Sequence, residues 1–248
     1  MRRIAWMDWD MSLQIINKAI MAMCGEVESQ AYPSTDWRQL SEAQLLYEVV
    51  VCIAGSQMLF EMAVGIADHL GQCGLLTPGE AAFGGSNYEN LLVQCLSRQI
   101  LMVTKDGASC LVNPRFKNRL AYLTASTVTK IYGEGLTIKK ILKIAKSARD
   151  TREILVSKVC GFGPKQASLF LRRIGYCSEL AVLDVHVLDY LELAKGFSIK
   201  ASTLGRLSVY ERVEDEFRGI ATQFGHAIGC VDLAMWVTMR VAKQEAYI

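Results

Sequence analysis

Ten residues, Val159-Cys160-Gly161-Phe162-Gly163-Pro164-Lys165-Gln166-Ala167-Ser168, constrain this chain more than any other stretch. Two glycines flank a phenylalanine, a proline follows, and a lysine opens an amphipathic run. The spacing predicts a tight hairpin between two helices, with Gly161 and Gly163 free to take positive φ and Pro164 pre-set for the first helical turn. A helix start of this kind carries N–H groups without intrahelical partners at the positive end of the helix dipole, where a phosphate binds readily. Lys165 lies in that field, which disfavours an ammonium. Nineteen residues further on, Ala181-Val182-Leu183-Asp184-Val185-His186 places Asp184 at the start of another apolar helix. An amine and a carboxylate are thus both presented from helix starts.

The charge distribution points the same way. Between Val112 and Arg173, 14 Lys/Arg stand against three acids, a net +11 that leaves −9 for the remainder of a chain whose total is +2. Such asymmetry predicts a surface facing a polyanion; the alternative is a solvated helical face balanced by acidic neighbours. With 248 residues, 51% of them hydrophobic, the chain can bury a substantial core. Its eight cysteines show no CxxC pair, and His69 and His226 offer no ligand spacing, so reduced thiols and no metal are expected. Met1-Arg2-Arg3 runs directly into Trp6, Asp8, Trp9 and Asp10, which predicts no signal peptide. The apolar stretch from Leu45 to Leu70 carries Glu48, Gln57, Glu61 and Asp68, as a buried helix pair would and a membrane span would not.

The remaining pattern is almost wholly helical. Helical spacing runs from Ser12 to Met23 and is broken at Pro33-Ser34-Thr35-Asp36. It resumes from Ser41, a candidate N-cap with Gln44 three residues on, to about Cys52. Gly55-Ser56-Gln57 interrupts, and further helices are predicted over 58–70, 87–99, 115–132, 137–148, 151–159 (capped by Asp150), 185–194, 211–224 and 231–241. Thr77 to Gly85 and Thr203 to Leu207 carry loop or turn chemistry. Ile100 to Val112 reads either as a short β-hairpin turning on Asp106-Gly107 or as an irregular connection.

Gly161-Phe162-Gly163-Pro164-Lys165-Gln166-Ala167 followed by Leu183-Asp184-Val185-His186 resembles the helix-hairpin-helix, Gly/Pro-rich loop and catalytic Asp of the HhH-GPD DNA glycosylases. Three further segments resemble the prokaryotic 8-oxoguanine DNA glycosylase/AP lyases within that superfamily. They are Leu45 to Ile53 with Ser56, Asn113-Pro114-Arg115-Phe116-Lys117-Asn118-Arg119-Leu120-Ala121, and Val231-Asp232-Leu233-Ala234-Met235-Trp236. The resemblance implies a mostly α, two-lobed helical fold with a DNA cleft between lobes, the whole chain forming one glycosylase module. Its lobes are expected at about residues 1–48 plus 176–248, and 49–175. It also implies a monomer acting on double-stranded DNA that contains a damaged base, at the nucleoid in the cytoplasm, with no cofactor, metal cluster or membrane.

The resemblance carries roles to particular residues. Lys165 is the implied nucleophile at the sugar C1′, forming a Schiff base that permits β-elimination, and Asp184 is the carboxylate that stabilises charge on the sugar. The residue types suit this chemistry, since a neutral amine attacks and an ionised carboxylate steadies a cation. Gly161 and Gly163 are expected at the DNA backbone, with Arg115, Arg119, Lys140 and Lys143 as further backbone contacts and His186 beside the sugar. Ser56 and Gln57 lie where the family places its inserting loop, and Asp232 and Trp236 where it contacts and stacks on the extruded 8-oxoguanine. One departure bears on base identity: the relatives end soon after this helix on a lysine, whereas here Lys243 is followed by Gln-Glu-Ala-Tyr-Ile. The same machinery aimed at another modified base, and a non-catalytic helix-hairpin-helix DNA-binding protein, remain as alternatives.

Overall fold

The computed structural model describes residues 9–31, 36–77, 85–104, 107–196 and 198–245. Eleven α-helices, two short 3₁₀ turns and one two-stranded hairpin are the regular elements of these residues, and none of the helices is long and apolar enough to cross a membrane. The chain divides into two compact units, Met1–Ser34 with Cys177–Ile248, and Thr35–Tyr176. The first division falls ahead of the second helix, α2 (Glu42–Gly55), rather than inside it near residue 48 as expected. The physical reason is that α2 packs along its length on four other helices of the Thr35–Tyr176 unit.

In that unit, Ser41 closes a full capping box: its hydroxyl accepts from the Gln44 N–H, and Gln44 Oε1 accepts from the Ser41 N–H at 2.8 Å. Ser56 ends α2, and α3 (Phe60–Gln72) packs back on it. Glycine is required at position 65, because a Cβ there would lie 2.7 Å from the Leu101 carbonyl oxygen of strand β1 (Ile100–Val103). β1 pairs antiparallel with β2 (Ser109–Val112), Ile100 opposite Val112 and Val103 opposite Ser109. This resolves the ambiguity of the Ile100–Val112 segment in favour of the hairpin. Its turn includes Gly107 at φ +81°, while Lys105 and Asp106 lie outside the described residues, as do Pro33 to Thr35 and most of the loop expected from Thr77 to Gly85.

The unit continues through α4 (Gly85–Leu96), α5 (Lys117–Tyr132), α6 (Ile138–Ile144), α7 (Ala148–Lys158) and α8 (Pro164–Arg173). Three expectations fail here. The single helix predicted over 137–148 is only the seven residues of α6, because the backbone turns extended at Ala145 and Ser147 caps a new helix. Ser147, rather than Asp150, is therefore the cap of α7, its hydroxyl accepting from the Asp150 N–H. The helix predicted from Arg115 begins instead at Lys117, after Phe116 in the left-handed region at φ +58°.

Glu42 ties α2 to this part of the unit. Its carboxylate accepts from the Tyr132 hydroxyl at 2.9 Å, from the Ile138 N–H and from the Lys139 N–H, so it caps α6 from another helix. Burial first, and then the Glu42 charge, push the Tyr132 phenol far above its ordinary pKa, which keeps it a donor. Arg173 at the end of α8 likewise reaches Glu48 of α2 through two nitrogens, at 2.6 and 3.2 Å.

The other unit holds α1 (Trp9–Ala31), α9 (Val185–Lys195), a 3₁₀ turn over Ala201–Gly205, α10 (Leu207–Ala221), a second 3₁₀ turn over Thr222–Phe224, and α11 (Ile228–Glu245). α11 is its spine, packed by α1, α9 and α10. The core is formed by Ile20, Tyr190, Tyr210, Phe217, Val231 and Met235 among others. Tyr190, buried on α9, donates its hydroxyl to Asn17 of α1 at 2.7 Å, satisfying the one polar atom that the ring carries inward.

Replacing Glu42 by Ala leaves the first amides of α6 and the Tyr132 hydroxyl without their acceptor. We expect Glu42→Ala to cost about 2–3 kcal/mol of stability in urea denaturation, whereas a change below about 0.5 kcal/mol would place the capping of α6 elsewhere.

Candidate active site

The glycine hairpin is held from below. α7 ends at Lys158, the Cys160 N–H donates to the Thr127 hydroxyl at 2.9 Å, and the Phe162 N–H donates to the Val159 carbonyl at 3.2 Å. Phe162 is buried and tilts against Phe170 with ring centroids 6.0 Å apart, so the residue between the glycines anchors the turn in the core. Gly161 has φ +88°, and a Cβ there would also press on the Leu123 side chain at 3.0 Å. Gly163 departs from expectation: its φ is −99°, an extended N-cap conformation open to any residue. What that position lacks is a capping side chain, so the first-turn amides of α8 receive none. Pro164 is the first helical residue and Lys165, half-buried, the second.

The basic segment is not uniformly a surface. Arg152 is fully buried with its guanidinium on the Ser168 hydroxyl at 3.2 Å, Arg173 pairs with Glu48, and Lys158 pairs with Glu134 at 2.5 Å. Lys140 donates to the Gly135 carbonyl at 2.9 Å, within its own turn. Arg115, Lys117, Arg119, Lys130, Lys143 and Lys146 are exposed. Several of them gather at the start of α5, where Asn113, Pro114, Phe116, Lys117 and Arg119 help line an open pocket of about 530 Å³. Phe116, quoted from sequence only within the Asn113–Ala121 segment and given no role, is a 55% exposed aromatic and the one non-glycine residue at positive φ among those described. Bulky residues in that conformation are uncommon and concentrate at functional sites.

At the loop after α2, Ser56 turns its hydroxyl back onto the Ile53 carbonyl at 2.7 Å, and the Gln57 N–H donates to Ala54. Gln57 is half-buried, whereas Leu59 two residues on is 69% exposed.

In the other unit, Asp184 caps α9: one carboxylate oxygen accepts from the His186 N–H at 2.9 Å and the Val187 N–H at 3.1 Å. The segment that delivers it, Leu180 to Leu183, is buried without being helix or strand, so its amides need side-chain partners. Three side chains supply them. Glu214 accepts from the Ala181 N–H at 2.9 Å, Asp232 from the Val182 N–H at 2.5 Å, and the Tyr210 hydroxyl from the Leu183 N–H at 3.0 Å while donating to the Ala181 carbonyl at 2.8 Å. All three are buried to within 1%. Tyr210 and Glu214, one turn apart on α10, went unnoticed in the sequence; a tyrosine and a glutamate on an apolar helical face were the available signal.

Asp232 is therefore placed beneath the Asp184 segment rather than in the open. Trp236, one turn further along α11, is half-buried, with the Arg240 guanidinium 5.1 Å from its ring centre and the His186 imidazole edge-on at 6.2 Å. His186 Nδ1 is buried and makes no hydrogen bond. The side chains of Lys243 and beyond lie outside the described residues.

Comparison with known proteins shows the family and the fold. Residues 29–226 match the family model of the helix-hairpin-helix 8-oxoguanine DNA glycosylases, a region that includes Lys165, Asp184 and His186 and stops before Asp232. The 8-oxoguanine DNA glycosylase/AP lyase of Thermoplasma volcanium is 39% identical over 87 residues, 35% of this chain and 40% of that protein. The protein of the same name from Aquifex aeolicus is 29% identical over 136 residues, 52% of this chain and 59% of its own length. The chain thus spans about half the length of these curated relatives. In fold it is similar to the 8-oxoguanine DNA glycosylase of Thermotoga maritima, with TM-score 0.64, 22% identity, and 90% of this chain and 95% of that one covered. With the matched region spanning most of its length and the hairpin lysine and capping aspartate inside it, the chain belongs to the 8-oxoguanine DNA glycosylase family.

Proposed function

We propose that this protein is a bifunctional DNA glycosylase/AP lyase that excises 8-oxoguanine from double-stranded DNA, as a monomer without a cofactor, on chromosomal DNA in the cytoplasm. The observation that carries this reading is Lys165 as the second residue of α8, directly behind a hairpin whose central phenylalanine is anchored in the core. Monofunctional members of the superfamily lack a lysine there.

The chemistry follows from the groups present. The Lys165 amine attacks C1′ as the glycosidic bond breaks, and the bonding pair leaves with the base, which takes up a proton. The adduct then loses an amine proton as the sugar ring opens, leaving a Schiff base. Removal of a C2′ proton expels the 3′ phosphate by β-elimination, and water releases the lysine. Asp184, with one oxygen committed to the α9 amides, supplies the other to steady the cationic sugar.

Reaching the base requires extruding it, at a cost of a few kcal/mol, with a side chain filling the gap. The loop after α2 provides it: Gln57, next to Ser56 and two residues before the exposed Leu59, is the inserting residue. Arg115, Arg119, Lys143 and Lys140 contact the phosphate backbone with the Gly161–Gly163 hairpin, and Phe116 offers a ring to an unstacked base. His186 Nδ1, buried and unpartnered, is suited to a DNA oxygen. Trp236 stacks on the extruded base. Asp232 contributes to the pocket from behind, and with Glu214 and Tyr210 it acts as a positioning residue for Asp184. Excision of a different modified base is the second reading, favoured because α11, which carries Asp232 and Trp236, lies past the matched region.

Borohydride trapping separates these readings. The protein is expected to form a covalent adduct with a duplex containing 8-oxoguanine, and Lys165→Gln to abolish it while retaining DNA affinity; a trapped abasic duplex with no trapped 8-oxoguanine duplex would favour the second reading. Tyr210→Phe removes the hydroxyl that serves Leu183 and Ala181. We expect it to slow single-turnover base excision by about tenfold, equivalent to about 1.4 kcal/mol, with DNA affinity unchanged. Equal losses of affinity and rate would reduce Tyr210 to a packing residue.

A further inference from the structure

Every cysteine among the described residues is free, yet two of them meet far from one another in sequence. Cys73 ends α3 and Cys95 lies on α4, and their sulfurs are 3.0 Å apart. One turn before Cys73, His69 projects from α3 with its Nε2 3.2 Å from the Cys95 carbonyl oxygen. The ligand-type atoms of all three residues lie within 4.8 Å of one another, with no carboxylate among them. Burial is graded, from Cys95 buried through His69 half-buried to Cys73 exposed, so the cluster opens to solvent on one side.

Two thiols and an imidazole form a soft-to-borderline donor set of the kind that selects zinc over magnesium or calcium. With Nε2–H donating to the Cys95 carbonyl, Nδ1 carries the lone pair. A ligating histidine typically makes this outer bond, which fixes its tautomer and ring orientation. A disulfide would leave His69 unexplained and would need an oxidant to remove two electrons. A metal uses all three groups.

We propose that His69, Cys73 and Cys95 form a site for a thiophilic divalent cation of the zinc class, with water as the fourth ligand, that staples the end of α3 to α4. The cation replaces the two thiol protons, which leave to solvent, and no electron moves. Tetrahedral zinc with bonds of about 2.3 Å to sulfur holds its two sulfurs about 3.8 Å apart. The thiols must therefore separate by about 0.8 Å, within reach of a side-chain rotation of the exposed Cys73. The staple closes a corner already tied by the Tyr88 hydroxyl, which donates to the Leu75 carbonyl at 2.7 Å. The sequence could not reveal it: His69 and Cys73 stand at helical spacing, but only the packing of α4 on α3 brings in Cys95.

A second grouping, Glu28, His226 and Cys230, supplies the control, because its imidazole is already engaged by Glu28 at 2.8 Å. The test is titration of the chelator-stripped, reduced full chain with cobalt(II) under nitrogen, followed by zinc. One equivalent of cobalt is expected to give thiolate-to-cobalt charge-transfer and tetrahedral d–d bands, which zinc then bleaches. Cys73→Ser and His69→Ala should each weaken binding by more than about tenfold, with the helical circular dichroism unchanged, and His226→Ala should leave it intact. Zinc should raise the melting temperature of the wild-type chain but not of Cys73→Ser. Absence of the charge-transfer bands, their persistence in both ligand variants, or their loss in His226→Ala would overturn the proposal. So would a Cys73–Cys95 disulfide that forms in the presence of zinc.

Discussion

A buried stretch of backbone that belongs to neither helix nor strand sets the terms for one half of this protein. Leu180 to Leu183 run through the core, and each unpaired amide there would cost on the order of 1–3 kcal/mol. Glu214, Asp232 and Tyr210 prevent that by taking the three amides in turn. Two of these partners, Glu214 and Asp232, are carboxyl groups buried completely, and the backbone N–H donors replace the water they lose. The consequence is a rigid approach to α9, and Asp184 emerges at its end already engaged as an N-cap.

The hairpin in the other unit solves the opposite problem. There the chain must turn sharply and keep its helix start open, so the fixing groups lie beneath the turn: Thr127 under Cys160, Phe170 against Phe162, and Leu123 against Gly161. No side chain caps α8. In one unit a carboxylate is spent on capping a helix, and in the other the cap is withheld, which leaves the positive end of α8 to act on Lys165 and on an incoming phosphate.

Much of this was legible in the chain itself. The capping box at Ser41, the break at Gly55 to Gln57, the Pro164 helix start and Asp184 as N-cap are local devices whose residues lie within four positions of one another, and each forms as read. Where the reading failed, the deciding contact was distant or the alternatives were locally equivalent. Ser147 and Asp150 are both competent caps, and the extended turn at Ala145 selects the serine. Gly161 and Gly163 were both read as free to take positive φ, and the turn uses that freedom at Gly161 alone. Tyr210, Glu214 and Asp232 gain their meaning from amides 27 to 50 residues away, and Cys73 from a thiol 22 residues away. Charge counting also overstated the basic face, because Arg152 and Arg173 serve the interior and an ion pair.

The central claim is that the lysine behind the glycine hairpin is the nucleophile. Peptide mapping of the borohydride-reduced protein–DNA adduct tests it most directly, because mass spectrometry then names the modified side chain. The deoxyribose remnant is predicted on the peptide that contains Lys165 and on no other. A remnant on Lys158, on another lysine, or on the N-terminal amine would contradict it.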